Sequence, residues 1–258
     1  GIRAFWTVSD LYPQGRLFSR TLKEMTGHFP VLVTELQKLA LPMNTMLDME
    51  VTINGGYTVN DCMLVQGLAP NGGGDAAENA REAVSRFETD ARYKNTYLHA
   101  YIFDVIYWDG EAINRQTYTT RFKKLTDVLK LRTVGDVSIH GAVLTLPVKY
   151  DDFEEAKKAM IAGKWEGLVI WDKEMLGGFT TNGKPKRLKG CWKWKNAKED
   201  DFFVIAAVPE DGDDSLVGAL NIGQYDANGK VVDCGNVGSG LNKEDKPVAW
   251  EWVGRVFE

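Results

Sequence analysis

The sequence predicts an α+β protein in two parts, a larger mixed domain at 1–196 and a smaller β domain at 197–258. Three observations carry this prediction. Runs such as residues 46–53 alternate apolar and polar positions in the manner of half-buried strands. Between such runs helical spacing recurs, as at Leu32, Leu36 and Leu39. After Lys195 the helical signals stop, and acidic turns with β-branched runs take over.

Residues 1–8 and 46–53 read as strands, the second with Asp48 and Glu50 on one face and Leu47, Met49 and Val51 on the other. Pro30 suits a first helical turn, so 31–41 reads as a short packing helix. The Gly-, Asn-, Asp- and Ala-rich stretch 71–79 reads as a surface excursion leading into a helix across 78–93. Aromatic and β-branched residues over 97–108 predict a strand closed by Asp109-Gly110, which places Phe103 within a sheet. Thr119 or Thr120 is placed to cap a helix through Leu131, and Asp151 or Asp152 to cap another through Ala162, with Gly163 as its stop. The next strand is expected to begin at Glu166. In the second domain 202–208 reads as a strand and 216–232 as a hairpin turning at Asn228-Gly229. Short strands and glycine-rich turns suit an OB-type barrel, incomplete at Glu258.

With 258 residues, 44% hydrophobic and 26% charged, the chain can bury a core. Cys62, Cys191 and Cys234 have no CxxC spacing, which argues against a disulfide framework or a zinc site. There is no apolar run of membrane-span length and no basic-then-apolar start, so a cytoplasmic protein with no membrane partner is expected. A net charge of −5 excludes a uniformly basic nucleic-acid binder but leaves room for one local positive surface. Residues 184–195 supply it with Lys184, Lys186, Arg187, Lys189, Lys193 and Lys195, and no acid. Such a cluster suits a phosphate partner.

Lys193 and Lys195 share one strand face while Trp192 and Trp194 take the other. Taken alone, that pattern favours solvated lysines over buried tryptophans. Glu166 enters an apolar neighbourhood, although a lone glutamate at a strand edge is usually just solvated. The glycine-rich run 235–240 lacks the Gly-Lys-Ser/Thr of a phosphate loop and reads as a turn. His28, His99 and His140 have neither metal nor triad spacing.

Gly1-Ile2-Arg3, Ser19-Arg20-Thr21, Leu47-Asp48-Met49-Glu50, Phe103-Asp104, Glu166-Gly167-Leu168-Val169-Ile170 and Trp192-Lys193-Trp194-Lys195 follow one another in an order that resembles the ATP-dependent DNA ligases. The resemblance implies an antiparallel-sheet adenylyltransferase (nucleotidyltransferase) domain followed by an OB-fold domain, using ATP and Mg²⁺ on nicked duplex DNA. It implies a monomer of the compact phage or bacterial kind. Phe103 would stack adenine, and Glu50 would accept from the ribose hydroxyls or assist the metal. Glu166 would bind the metal, Lys193 and Lys195 would contact the α-phosphate, and Arg3 would belong to the nucleotide site. Arg20 would engage the nick phosphate and orient the adenylate, where arginine's planar fork suits the task. Lys184, Lys186, Arg187 and Lys189 would contact DNA.

There are departures from the pattern. Met49 stands where the family usually has glycine between the two acids, and Trp171 where a basic residue commonly follows the glutamate motif, with Lys173 two positions on. The family's nucleophile sits in Lys-x-Asp-Gly-x-Arg, so a chain starting at Gly1 is expected to lack it, along with the basic motif expected beyond Glu258. Self-adenylylation by this chain is therefore not expected. RNA ligases and mRNA guanylyltransferases share the site pattern and form the rival enzyme reading. A module that binds nucleotide or nick without chemistry is the non-enzymatic one.

Overall fold

The computed structural model describes residues 1–54, 75–129, 140–177, 189–195 and 200–257. It divides into two compact units, Gly1–Lys195 and Asn196–Glu258.

The first unit is built on a six-stranded sheet. Strands β1 (Ile2–Ser9), β2 (Tyr12–Ser19), β3 (Thr45–Ile53), β4 (Leu98–Trp108) and β5 (Glu111–Ala112) run in the order β2-β1-β3-β4-β5, all antiparallel. Strand β6 (Ala142–Thr145) adds parallel to β4. On β3 the odd-numbered residues from Thr45 to Ile53 are all buried, which is the core face the alternation predicts. Trp6 of β1 is also fully buried. Its ring leaves no room at Gly15 of β2, where a Cβ would lie 2.0 Å from it and φ is +78°.

Helix α1 (Pro30–Gln37) buries Leu32 and Leu36 in this core. It stops short of the predicted residue 41 because the chain turns at Ala40, where φ is +47°. Helix α2 (Ala76–Thr89) is capped by Asp75, whose side chain accepts the Ala77 N–H at 2.8 Å.

Helix α3 (Tyr118–Leu129) begins ahead of both threonines predicted to cap it. Thr117 takes the capping place instead, accepting the Thr120 N–H at 3.4 Å. The Tyr118 N–H donates to the Met175 carbonyl at 2.8 Å, and both the N–H and hydroxyl of Thr119 donate to the Lys173 carbonyl. A tertiary contact thus satisfies donors that the sequence offered to a local cap. The expected end at Leu131 lies outside the described residues. Helix α4 (Phe153–Ala162) behaves as predicted, with Asp152 accepting the Glu155 N–H at 2.8 Å and Gly163 as its C-cap.

Strands β7 (Gly167–Trp171) and β8 (Cys191–Lys195) form a separate antiparallel ribbon. Gly167 permits their close approach: a Cβ there would meet the Trp194 carbonyl oxygen at 2.2 Å and the Lys195 Cα at 2.9 Å.

The second unit is a four-stranded antiparallel sheet in the order β11-β10-β9-β12, made from β9 (Phe202–Glu210), β10 (Asp213–Tyr225), β11 (Val231–Val237) and β12 (Val256–Phe257), with a short helix α5 (Asp245–Val248). The predicted hairpin is present in lengthened form. Its turn is held by Asp226, whose carboxylate accepts the N–H groups of Asn228 and Lys230, each at 2.8 Å. The run from Gly235 to Gly240 begins as the end of β11 and is not a phosphate loop. Among the described residues no helix is long and apolar enough to cross a membrane.

Candidate active site

One face of the large sheet collects the first half of the site. Because β1 and β3 pair Arg3 with Glu50 and Phe5 with Asp48, these four side chains share the face opposite the core. Arg3 grips Asp48 in a fork, with Nε 2.9 Å from Oδ1 and Nη2 2.5 Å from Oδ2. Burial pushes the Asp48 carboxyl up to about 7, against the pull of Arg3 and with a further push from Asp104.

Between β3 and β4 the ladder pairs Met49 with Ile102 but Asp48 with Asp104, so Phe103 is the extra residue of a β-bulge. The bulge brings Phe103 beside Arg3, whose guanidinium carbon is 5.7 Å from the ring centre and 5.4 Å from that of Phe5. Behind the bulge, Asp104 is gripped by Arg121 of α3, at 2.7 Å from Nε and 3.0 Å from Nη2. Arg121 also donates to the carbonyls of Gln116 and Met175.

The ribbon supplies the second half. Cα pairing of Gly167 with Lys195, Val169 with Lys193 and Trp171 with Cys191 puts both lysines on one face together with Trp171. Glu166, just ahead of β7, accepts from Lys195 Nζ at 3.0 Å, and that hydrogen bond holds its carboxyl below the usual range. Burial raises the Glu50 carboxyl, while Lys193 and Arg3 lower it and Glu166 raises it again. Glu50, Lys193 and Glu166 therefore lie within electrostatic reach of one another across the gap between sheet and ribbon.

Arg3, Glu50, Phe103, Glu166, Lys193 and Lys195 thus come together. Arg20 stands exposed just past Ser19, whose partner on β1 is Ala4, and among the described residues no ion pair joins it to the others. Lys189 is exposed in the turn entering β8, whereas Lys184, Lys186 and Arg187 lie outside the described residues. Lys173 points elsewhere, pairing with Asp151 at 3.3 Å.

The reading of both tryptophans as a buried strand face needs correction. Trp194 packs edge-on to Phe153 of α4 at 5.6 Å, but Trp192 on the same face is 56% exposed, since the α4 contacts fall on Trp194. Sequence reasoning missed Arg121 and the stacking partner of Trp171. Arg121 carries no signal beyond its place on a helix, and Trp171 was visible only as a departure from a pattern.

The ATP dependent DNA ligase domain profile matches residues 3–195, and this chain belongs to that enzyme family. Among solved structures it is similar to Pmar-Lig_Pre, with a TM-score of 0.58 and 18% identity over 99% of this chain and 55% of that one. The chain thus spans about half the length of that relative. It also matches a mycobacterial DNA ligase D complexed with ATP and MES, with a TM-score of 0.48 and 22% identity over 96% of this chain and 66% of that one. The match to the Chlorella virus DNA ligase-adenylate has a TM-score of 0.41 and 15% identity, over 99% of this chain and 83% of the other.

Proposed function

We propose that this chain is the catalytic core of an ATP-dependent DNA ligase that seals nicks in duplex DNA, with the second unit belonging to an OB-fold domain. The observation that carries this reading is the meeting of Arg3, Glu50 and Phe103 on the sheet with Glu166, Lys193 and Lys195 on the ribbon. An aromatic platform, a ribose acceptor and paired cations are what a nucleotide with its phosphates requires.

In this reading adenine stacks on Phe103 beside Arg3, Glu50 accepts from the ribose hydroxyls, and Lys193 and Lys195 hold the α-phosphate. A lysine amine attacks the α-phosphorus of ATP and expels pyrophosphate, leaving AMP on the enzyme. In the family pattern that lysine precedes the Gly-x-Arg carried here by Gly1 and Arg3. A 5′-phosphate oxygen of the nick then attacks the same phosphorus and frees the lysine. Finally the 3′-hydroxyl attacks the 5′-phosphorus, forming the phosphodiester and releasing AMP. Negative charge builds on phosphoryl oxygens in each step, and fixed cations stabilise it.

Arg20 orients the nick phosphate, and Lys184, Lys186, Arg187 and Lys189 follow the DNA backbone in a salt-sensitive manner. Glu50 and Glu166 fit a hard divalent cation, being two carboxylates that feel each other's charge. Mg²⁺ bound there would neutralise phosphate charge.

The last step tests the reading without a lysine nucleophile. A synthetic DNA nick already carrying AMP on its 5′-phosphate, given to this protein with Mg²⁺, is expected to yield joined strand and free AMP. Lys193→Ala and Lys195→Ala are expected to lose that product, and an RNA nick to be a poor substrate. Absence of joined DNA with the unaltered protein sinks the reading. Extending the chain by Lys-x-Asp ahead of Gly1 and offering ATP or GTP then separates a ligase from a guanylyltransferase.

A further inference from the structure

The two halves of the site stand on separate sheets, and a closed circuit of side chains joins them. Phe103 adjoins Asp104 in the β4 bulge, and Asp104 is held by Arg121. The Arg121 guanidinium lies 5.7 Å from the centre of the Tyr118 ring. Tyr118 stacks on Trp171 of the ribbon at 4.4 Å and 12°, and Trp171 returns to Phe103 at 6.1 Å and 43°. The start of α3 is bonded to the loop after β7 as well, through Tyr118 N–H to the Met175 carbonyl and the Thr117–Leu176 bridge.

We propose that Trp171 is a positioning residue for the nucleotide base: stacked on Tyr118, it fixes the tilt of the Phe103 ring and the spacing between that ring and the phosphate-holding lysines. The inference rests on Phe103 being the base platform. Phe103 has the Arg3 guanidinium 5.7 Å from its ring centre and the tilted Trp171 ring at 6.1 Å, so the indole limits how the phenyl can turn. Trp171 also shares a ribbon face with Lys193, with its cross-strand partner Cys191 two residues before that lysine. One indole therefore touches the platform while standing on the strand pair that carries the cations. Tyr118 is buried and Trp171 half-buried, so the stack is a fixed wall.

Calorimetric binding of ATP and of inorganic triphosphate tests this, because only ATP uses the base platform. Trp171→Leu is expected to weaken ATP about fivefold, the worth of one aromatic pair, and to leave triphosphate unchanged. Trp171→Phe is expected to restore most of the ATP affinity. Trp171→Met keeps apolar bulk without the ring and is expected to give the same selective loss, should the leucine variant fold poorly. Equal ATP affinity in the wild type and these ring-less variants overturns the proposal alone, as does an equal loss for ATP and triphosphate, which marks general loosening. A wild-type protein that binds triphosphate but shows no preference for ATP overturns the platform reading and this proposal with it.

Discussion

The large sheet and the β7–β8 ribbon each carry half of the candidate site, and they hold charge in opposite ways. On the sheet the Asp48 and Asp104 side chains are 1% and 4% exposed, each held in a fork by an arginine. On the ribbon Lys195 and Glu166 are 65% and 80% exposed and share a single contact. Groups of the first kind are desolvated and already oriented, so little reorganisation is needed when a ligand arrives. Those of the second kind gain little from each other in water and are free to re-pair with phosphate or metal. Fixed groups thus set the geometry, and adaptable groups follow the phosphate through successive steps.

The comparison is broken most severely at Arg121. Arg121→Met leaves Asp104 as an unpaired buried carboxylate, and a loss of about 3–5 kcal/mol is expected in denaturant unfolding. Adding Asp104→Leu removes the orphaned charge and is expected to recover a good part of that loss. If Arg121→Met costs under about 1 kcal/mol, the pair does not anchor the sheet.

Gly167→Ala attacks the ribbon through its backbone. The added methyl would press on the Trp194 carbonyl oxygen and the Lys195 Cα, so β7 must move from β8 and carry Glu166 with it. The expected cost is about 1–3 kcal/mol of overpacking. Amide exchange should quicken in β7 and β8 while β1 and β3 keep their protection. Equal quickening in both regions would show that the ribbon is not a separable unit.

Lys195→Met sharpens the contrast, since stability and activity are expected to part. Removing an exposed ion pair should change unfolding by less than about 1 kcal/mol. Joining of an adenylylated nick should fall about a hundredfold, as for loss of one preorganised donor. A variant that seals at the normal rate would return Lys195 to the status of a solvated surface residue.

What could be read from the sequence follows the same division. Strand alternation placed Asp48 and Glu50 on one face, and period two placed Lys193 with Lys195, because those facts depend on a single strand. The Asp152 cap was legible for the same local reason. The bulge at Phe103 was not, since a bulge exists only relative to a partner strand. Arg121 read as one more helical residue until the fold brought Asp104 against it across 17 residues of chain. The start of α3 was misjudged because Lys173 and Met175, more than fifty residues on, satisfy its first N–H groups. Exposure of Trp192 likewise depends on what packs over the ribbon, which a strand pattern does not record.

The smallest expected effect concerns a carboxylate outside both halves, at the end of α2. The hydrogen bond from Arg92 holds the Asp90 carboxyl well below its ordinary 3.8, at about 2, and Asp90 also accepts the Arg92 N–H at 2.9 Å. A lowered folded-state pKa means that the ionised form favours the fold. Its contribution is therefore complete above the unfolded value near 4 and is lost as the pH falls toward 2. Asp90→Asn preserves a side-chain acceptor for the Arg92 N–H but cannot titrate, so comparing the two proteins isolates the charge. Their difference in melting temperature is expected to be small and constant above about pH 5, and to shrink steadily between about pH 4 and pH 2. A difference that grew on acidification would reverse the sign of the linkage and show that Asp90 is not held in its ionised form by Arg92.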